Sequence, residues 1–252
     1  MFVVALQSSE FLSAVMSGND VNLMPILMQQ ITPNVYAAAL ILSSVTTTLI
    51  MFFPMRMFSF RRDFAPSGIA LSTLLIAFIA AFCGIYSTNI FSEFADLPNL
   101  FEADMNGLFG TTLGVLVISV LGPIAEEVVF RASILGHLLR KGINVWVAIL
   151  TSAFLFGVVH FNPAQIPFAM VIGTILGIIY YRTGNIILTS IIHIANNSLA
   201  CLMANTLSSD ETLINLIGSP VAATISGIVL IALSAYLLYK FWGKTSNIVF
   251  NE

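Results

Sequence analysis

Long apolar runs separated by short polar segments dominate the pattern of hydrophobic and polar positions along this chain. Most of these runs approach the roughly 20 residues that a helix needs to cross the hydrocarbon core of a bilayer. The predicted spans are Val35 to Phe53, Gly68 to Tyr86, a third run from Leu108 to Leu139, Val145 to His160, Ile166 to Tyr181, Ile186 to Met203 and Val221 to Phe241. The pattern therefore predicts an all-α, polytopic transmembrane bundle of about seven spans.

The third run is longer than the others and would measure roughly 48 Å as one straight helix. Gly122-Pro123 lies near its middle, and proline removes a backbone hydrogen-bond donor. We therefore expect a break or kink at Gly122-Pro123. The glutamates that follow would then lie in the first turn of a new helix, where the helix dipole favours negative charge.

The basic residues predict how the spans are oriented, because Lys and Arg concentrate in cytoplasmic loops. With the N-terminus outside and the C-terminus cytoplasmic, eight of the nine Lys and Arg residues fall on the cytoplasmic side. These are Arg56, Arg61, Arg62, Arg140, Lys141, Arg182, Lys240 and Lys244. The outer segments contain acidic residues and no basic ones, which supports both the orientation and the count of spans.

Composition agrees with a membrane location and excludes one class of partner. The chain has 252 residues, of which 58% are hydrophobic and 8% charged, whereas a soluble domain carries about 25% charged residues. Mean hydropathy is +0.97. No cluster of basic residues interleaved with aromatic ones is present, so nucleic acid is not an expected partner.

We expect one transmembrane domain over residues 35–244, with a catalytic core at 109–203. Residues 1–34 would form an extracytoplasmic or interfacial segment, and residues 245–252 a cytoplasmic tail. The expected location is the cytoplasmic membrane of a bacterial cell.

The stretch from Gly122 to Arg131 places two adjacent carboxylates and an arginine inside an apolar run. Ionisable groups at membrane depth are costly, which makes them candidates for function. On a helix, Glu127 and Arg131 are four residues apart and can form an ion pair. Glu126 points about 140° away from Arg131, because each helical residue advances about 100°. One carboxylate can be neutralised while its neighbour remains available for chemistry.

Two later spans carry further polar residues at a comparable predicted depth. His160 ends the fourth span, with Phe156 one helical turn before it on the same face. His193 and Asn197 lie four residues apart in the sixth span and also share a face. Residues from three spans can converge in the interior of a bundle.

These side chains suit hydrolysis by activated water in two different ways. A carboxylate and a nearby imidazole can hold and deprotonate water, while a second histidine and an asparagine amide donate hydrogen bonds to an oxyanion. Alternatively, Glu126, His160 and His193 could bind zinc and leave one coordination position for water. Because asparagine is a poor zinc ligand and a good oxyanion donor, the metal-free version is preferred slightly. Neither G-x-S-x-G nor H-E-x-x-H occurs in the sequence.

Three motifs carry a resemblance to a known family. E-E-V-V-F-R, F-G-V-V-H and H-I-A-N-N resemble the E-E-x-x-x-R, F-x-x-x-H and H-x-x-x-N motifs of the CPBP intramembrane proteases. That family includes type II CAAX prenyl endopeptidases and bacterial proteins of bacteriocin processing and self-immunity, also called the Abi family. The resemblance spans residues 126–197, and residues 1–107 contribute only a membrane location.

The resemblance implies a role for each matched residue. Glu126 would be the catalytic carboxylate and His160 its partner in activating water, while His193 and Asn197 would stabilise the oxyanion. Glu127, Arg131 and Phe156 would support them. The implied partners are the lipid bilayer and a membrane-associated peptide or protein substrate.

Two other functions fit the same residues. A proton-coupled transporter could use Glu126 and the two histidines as a proton relay, although no inverted repeat supports it. A non-catalytic immunity or binding protein could retain the fold without the reaction.

Overall fold

The computed structural model describes residues 32–53, 55–57, 59, 63, 68–95, 97–206 and 212–245. The described residues form helices and connecting segments, with no strand among them. In chain order the helices are α1 (Pro33–Phe52), α2 (Leu71–Ala95), α3 (Glu102–Phe109), α4 (Thr112–Arg140), α5 (Val145–Val158), α6 (Ile166–Thr183), α7 (Ile186–Thr206), α8 (Leu213–Ile217) and α9 (Pro220–Lys244).

The helical lengths fit an integral membrane protein. Within the described ranges, six helices are long and apolar enough to cross a bilayer, namely α1, α2, α4, α6, α7 and α9. Helix α5 is the seventh apolar helix, and it has 14 residues. The all-α polytopic bundle is confirmed, while the orientation of its termini and the domain limits stay predictions. Most of the predicted N-terminal segment, and the tail from residue 246 onwards, lie outside the described residues.

Small residues allow α2 to pack closely against its neighbours. The buried residues of α2 include Ala77, Ala80, Ala81 and Gly84. A Cβ added at Gly84 would lie 2.5 Å from the Ile175 side chain of α6. Close packing of small residues is how membrane helices associate without a hydrophobic driving force between them.

Hydroxyl groups bond the same helices together. The Ser234 hydroxyl of α9 donates to the carbonyl of Ala80 at 2.7 Å, and the Ser87 hydroxyl donates to the carbonyl of Gly227 at 2.8 Å. Helices α2, α6 and α9 thus form a tightly packed support for the functional residues on α4, α5 and α7.

The long third run does not break where the sequence suggested. Gly110 and Thr111 separate α3 from α4, and the Thr111 hydroxyl accepts from the N–H of Gly114 at the start of α4. From there α4 continues through Pro123 to Arg140. The expectation of a new helix at Gly122-Pro123 is therefore wrong, and the two glutamates lie in the middle of a helix.

Helix α4 accommodates Pro123 by widening. Residues Val117–Leu121 and Val128–Leu135 adopt π-helical turns on either side of the glutamates. In the first turn the N–H of Gly122 bonds the carbonyl of Val117, five residues earlier. Such turns occur frequently at functional sites. The fourth predicted span was also too long, because α5 ends at Val158, before His160.

Candidate active site

Glu127 and Arg131 form a buried ion pair on α4. The Arg131 Nε atom lies 3.2 Å from the Glu127 Oε2 atom, and both side chains are excluded from solvent. The guanidinium carbon also lies 4.5 Å from the centre of the Phe156 ring, which gives the cation a second favourable neighbour. The pair expected from the four-residue spacing is therefore present, and a helix from another part of the sequence covers it.

His193 connects α7 to both glutamates. Its Nδ1 atom lies 3.0 Å from Glu127 Oε1, and its Nε2 atom lies 3.6 Å from Glu126 Oε2. Because an ionised carboxylate can only accept, Nδ1 carries the hydrogen and donates it to Glu127. The imidazole is 4% exposed. Glu127 thus fixes both Arg131 and His193, a link that the predicted roles did not include.

Glu126 is the more accessible of the two carboxylates. Its side chain is 36% exposed, and its one polar neighbour among the described residues is His193. Glu127, by contrast, is engaged on both of its oxygens. The helical geometry therefore leaves Glu126 as the carboxylate that water can reach.

Phe156 contacts both histidines. The centre of its ring is 5.1 Å from that of His160 and 5.7 Å from that of His193, each in an edge-to-face arrangement. It also packs against Phe130 of α4 at 5.2 Å. Both imidazoles are thus held against one buried phenyl ring.

His160 follows the end of α5 and is half-buried. Its Nδ1 atom lies 2.7 Å from the carbonyl of Phe156 and donates to it, which leaves Nε2 as a hydrogen-bond acceptor. No contact between His160 and either glutamate occurs in the described part of the chain. The structure thus brings Glu126, Glu127 and His193 together, and it connects His160 to His193 through the Phe156 ring that both imidazoles contact.

Asn162 supports the segment that carries His160, and sequence reasoning missed it. Its side chain is fully buried, accepts from the N–H of Leu100 at 3.2 Å and donates to Asn99 Oδ1 at 2.7 Å. These bonds tie the turn after α5 to the segment before α3. The Asn-Pro pair could be recognised as a helix stop, but its long-range partners could not.

Asn197 binds the widened turn of α4. Its Nδ2 atom donates to the carbonyl of Ile118 at 3.0 Å, and its Oδ1 atom accepts from Asn196 at 3.0 Å. In the π turn the partner of the Ile118 carbonyl would be the N–H of residue 123, which proline lacks, while the N–H of Gly122 bonds Val117. Asn197 therefore satisfies a carbonyl that Pro123 leaves free. One amide hydrogen of Asn197 remains for a second acceptor.

The proposed zinc ligands do not form a metal site in this arrangement. Among the described residues, no group of three or more His, Cys, Asp or Glu side chains is placed to hold one ion. Each histidine directs Nδ1 to another partner, His160 to the carbonyl of Phe156 and His193 to Glu127. The donor set does not fit zinc without rearrangement.

The segment that carries this geometry also carries the similarity to known proteins. Residues 108–199 match the model of the family described as "Type II CAAX prenyl endopeptidase Rce1-like". A Bacillus subtilis (strain 168) protein named "Putative membrane peptidase YdiL" is 30% identical over 102 residues, which cover 40% of this chain and 41% of that protein. The matched segment is therefore similar to proteins of the CPBP/CAAX protease family.

The family match covers the helices on which the predicted site residues lie. The matched segment begins just before α4 and ends within α7, so it includes all three motifs. The chain is aligned with less than half of the Bacillus relative. No solved structure matches the chain at a comparable level of similarity.

Proposed function

We propose that this protein is a CPBP-type intramembrane endopeptidase that hydrolyses a peptide bond of a membrane-associated peptide or protein. The observation that carries the proposal is the division of labour between the two glutamates. Glu127 is fully engaged by Arg131 and His193, whereas Glu126 is partly exposed beside the Nε2 atom of His193. A carboxylate that water can reach, next to an imidazole in a buried setting, suits the activation of water.

In the proposed reaction, Glu126 accepts a proton from water. The water oxygen bonds to the carbonyl carbon of the substrate, and the carbonyl oxygen becomes an oxyanion. When the carbon–nitrogen bond breaks, the proton passes from Glu126 to the departing amine. The products are a carboxylic acid and an amine, so hydrolysis requires no other reactant.

The remaining residues act as donors and supports in this proposal. The Nε2 atom of His160 can accept a hydrogen bond from the attacking water, because Nδ1 already donates to a carbonyl. In its doubly protonated form, His193 would donate from Nε2 to the oxyanion while Nδ1 bonds Glu127. The remaining amide hydrogen of Asn197 would be a second donor there, where preorganised donors have their largest effect. Phe156 holds both imidazoles. The enzyme would work in the cytoplasmic membrane of a bacterial cell.

Glu126→Gln tests the proposal. We expect the variant, in lipid nanodiscs with a quenched-fluorescent peptide library, to lose roughly 10²–10⁴-fold in cleavage rate. Its unfolding midpoint should hardly change, because the side chain is partly exposed and the replacement has nearly the same shape. Glu127→Gln is the matched comparison, and it should lower the midpoint because it disrupts the buried pair with Arg131.

Undiminished cleavage by Glu126→Gln would contradict the proposed role. Two further results would indicate a different function for the protein. Glu126-dependent proton uptake into proteoliposomes without cleavage would indicate a transporter. Peptide binding that survives in every variant without cleavage would indicate a non-catalytic immunity or binding protein.

A further inference from the structure

A cavity lies beside the candidate active site and is not lined by any of its predicted catalytic residues. It has a volume of about 230 Å³ and lies between α2, α7 and the start of α8. An engineered cavity of about 150 Å³ is large enough to bind benzene. This cavity can therefore hold an amino-acid side chain together with part of a backbone.

The cavity reaches from one face of the bundle to the depth of the site. Glu93 and Leu213 line its outer part, at the acidic face where α2 and α7 end. Asn196 lines its inner part and donates through Nδ2 to the Oδ1 atom of Asn197. Through this one hydrogen bond, the wall of the cavity contacts a predicted oxyanion donor.

The polar groups in the cavity wall are available to a ligand. Among the described residues, the Tyr86 hydroxyl and the Asn89 carboxamide have no hydrogen-bond partner. The Oδ1 atom of Asn196 is also left without a donor within the same set of residues, because only its Nδ2 atom is bonded. These groups present both donors and acceptors, the combination that a peptide backbone requires.

The charge in the cavity disfavours an anionic ligand. No lysine or arginine occurs among the residues that line it. Its one acidic residue, Glu93, accepts from the N–H groups of Leu213 and Ile214 at 2.8 and 3.0 Å. Glu93 thus holds α8 in place over the cavity, and an incoming anion would meet a carboxylate without a compensating cation.

We infer that this cavity binds an uncharged, extended peptide segment through its backbone amides. This inference rests on the proposed function. The segment is the part of the substrate next to the bond that is cut, and it enters from the acidic face of the bundle. Tyr86 and Asn89 bind from α2, and Asn196 binds from α7. The neighbouring peptide group then lies beside Asn197.

Ala200→Trp tests the inference, because Ala200 lines the cavity on the same face of α7 as Asn196. The matched control is Leu202→Trp, which adds a similar ring to the side of α7 that is exposed. Both changes are made in the full-length Glu126→Gln protein in nanodiscs, so that the peptide is not cut. The probe is a short, blocked, fluorescent peptide of Ala, Gly, Ser and Leu.

We expect Ala200→Trp to raise the Kd of the probe at least tenfold and Leu202→Trp to leave it within about twofold. Asn89→Leu, which keeps the size of the side chain, should raise the Kd roughly threefold to tenfold, the value of about one hydrogen bond. A probe with N-methylated peptide bonds should bind as weakly as the unmodified probe binds Asn89→Leu. A probe with added Asp residues should also bind more weakly.

Failure of the inference and failure of the proposed function give different results. Cleavage by the wild type, with the same KM in Ala200→Trp and in the control, would contradict peptide binding in the cavity. The proposed peptidase activity would still stand. Binding that depends on Ala200 and Asn89, without any cleavage by the wild type, would support peptide binding in the cavity and contradict the proposed hydrolysis. No measurable binding to Glu126→Gln, or equal binding of the N-methylated probe, would also overturn the inference.

Discussion

Two parts of the candidate site hold their histidines in different ways. The α4–α7 half consists of Glu126, Glu127, Arg131, His193 and Asn197, and the α5 half consists of Phe156, His160 and Asn162. In the first, a buried carboxylate fixes His193, and an arginine neutralises that carboxylate. In the second, His160 is held by a carbonyl of its own helix and by the edge of a ring.

The difference shows which histidine is held by a direct bond between helices and which one depends on the position of a turn. A charge-assisted hydrogen bond between two transmembrane helices fixes the imidazole of His193 with little freedom. The other imidazole follows the turn after α5, which neutral amide bonds of Asn162 attach to a separate segment. Changes to the buried pair of Glu127 and Arg131 should therefore act mainly on stability, and changes to the turn that carries His160 mainly on catalytic geometry.

Removing the arginine of the α4–α7 half should have the largest effect on stability. Arg131→Met leaves Glu127 buried without its cation, and loss of one partner of a buried pair costs about 3–5 kcal/mol. This loss of stability can be measured as the change in the free energy of unfolding in mixed micelles. The double variant Glu127→Leu with Arg131→Met removes both charges and should regain part of the loss. A single variant as stable as the wild type would contradict the importance of the pair.

Asn197 can be tested for two roles at once. Asn197→Leu should leave the Ile118 carbonyl unpaired, at a cost of about 0.6–1.7 kcal/mol for a bond between membrane helices. If Asn197 also stabilises the oxyanion, the rate should fall about 10²–10³-fold.

Adding Pro123→Ala separates these two roles, because alanine supplies an N–H that can bond the Ile118 carbonyl. We expect the double variant to recover stability and not activity. Recovery of both, measured as kcat and as an unfolding midpoint, would make Asn197 purely structural.

A substitution of Asn162 tests the α5 half in the corresponding way. Asn162→Ala removes two bonds that anchor the turn carrying His160, and a misplacement of about 1 Å can cost 10²-fold in rate. We expect kcat to fall by up to that factor and stability to fall by about 1–3 kcal/mol. Asn205→Ala is the matched control, because Asn205 bonds carbonyls of Phe109 and Cys201 away from the site. Equal loss of kcat in both variants would contradict a positioning role.

Metal removal should have the smallest effect. Among the described residues, Glu126, His160 and His193 do not converge as three ligands, and Nδ1 of each histidine bonds another partner. Dialysis of the purified protein against a chelator should therefore leave cleavage unchanged. Loss of activity that returns with stoichiometric zinc would show that the site rearranges around a metal and would restore the zinc alternative.

Helical periodicity accounts for what could be predicted. The four-residue spacing of Glu127 and Arg131 predicts their ion pair because it depends on one helix alone. Long apolar runs likewise predict the spans, and most of their ends agree with the structure within a few residues. One exception is α2, which continues to Ala95 because its last two turns remain helical beyond the apolar core.

What could not be predicted depends on contacts between helices. The bond of His193 to Glu127 requires the packing of α7 on α4, and spacing within α7 does not indicate it. Pro123 was expected to end a helix, but a widened turn and the amide of Asn197 satisfy the backbone around it. The role of Asn162 depends on bonds to Asn99 and Leu100, which lie more than 60 residues earlier in the chain.

The shortness of α5 has a consequence for the surrounding lipid. Its 14 residues extend about 21 Å, whereas the hydrocarbon core of a bilayer is about 30 Å thick. Trp146, Val147, Leu150 and Phe154 are exposed along it, so acyl chains beside this helix must shorten to match it. Hydrophobic mismatch would thin the bilayer where His160 lies and bring that imidazole near the headgroups. Under the proposed function, acyl-chain length would then affect how easily a peptide reaches the site.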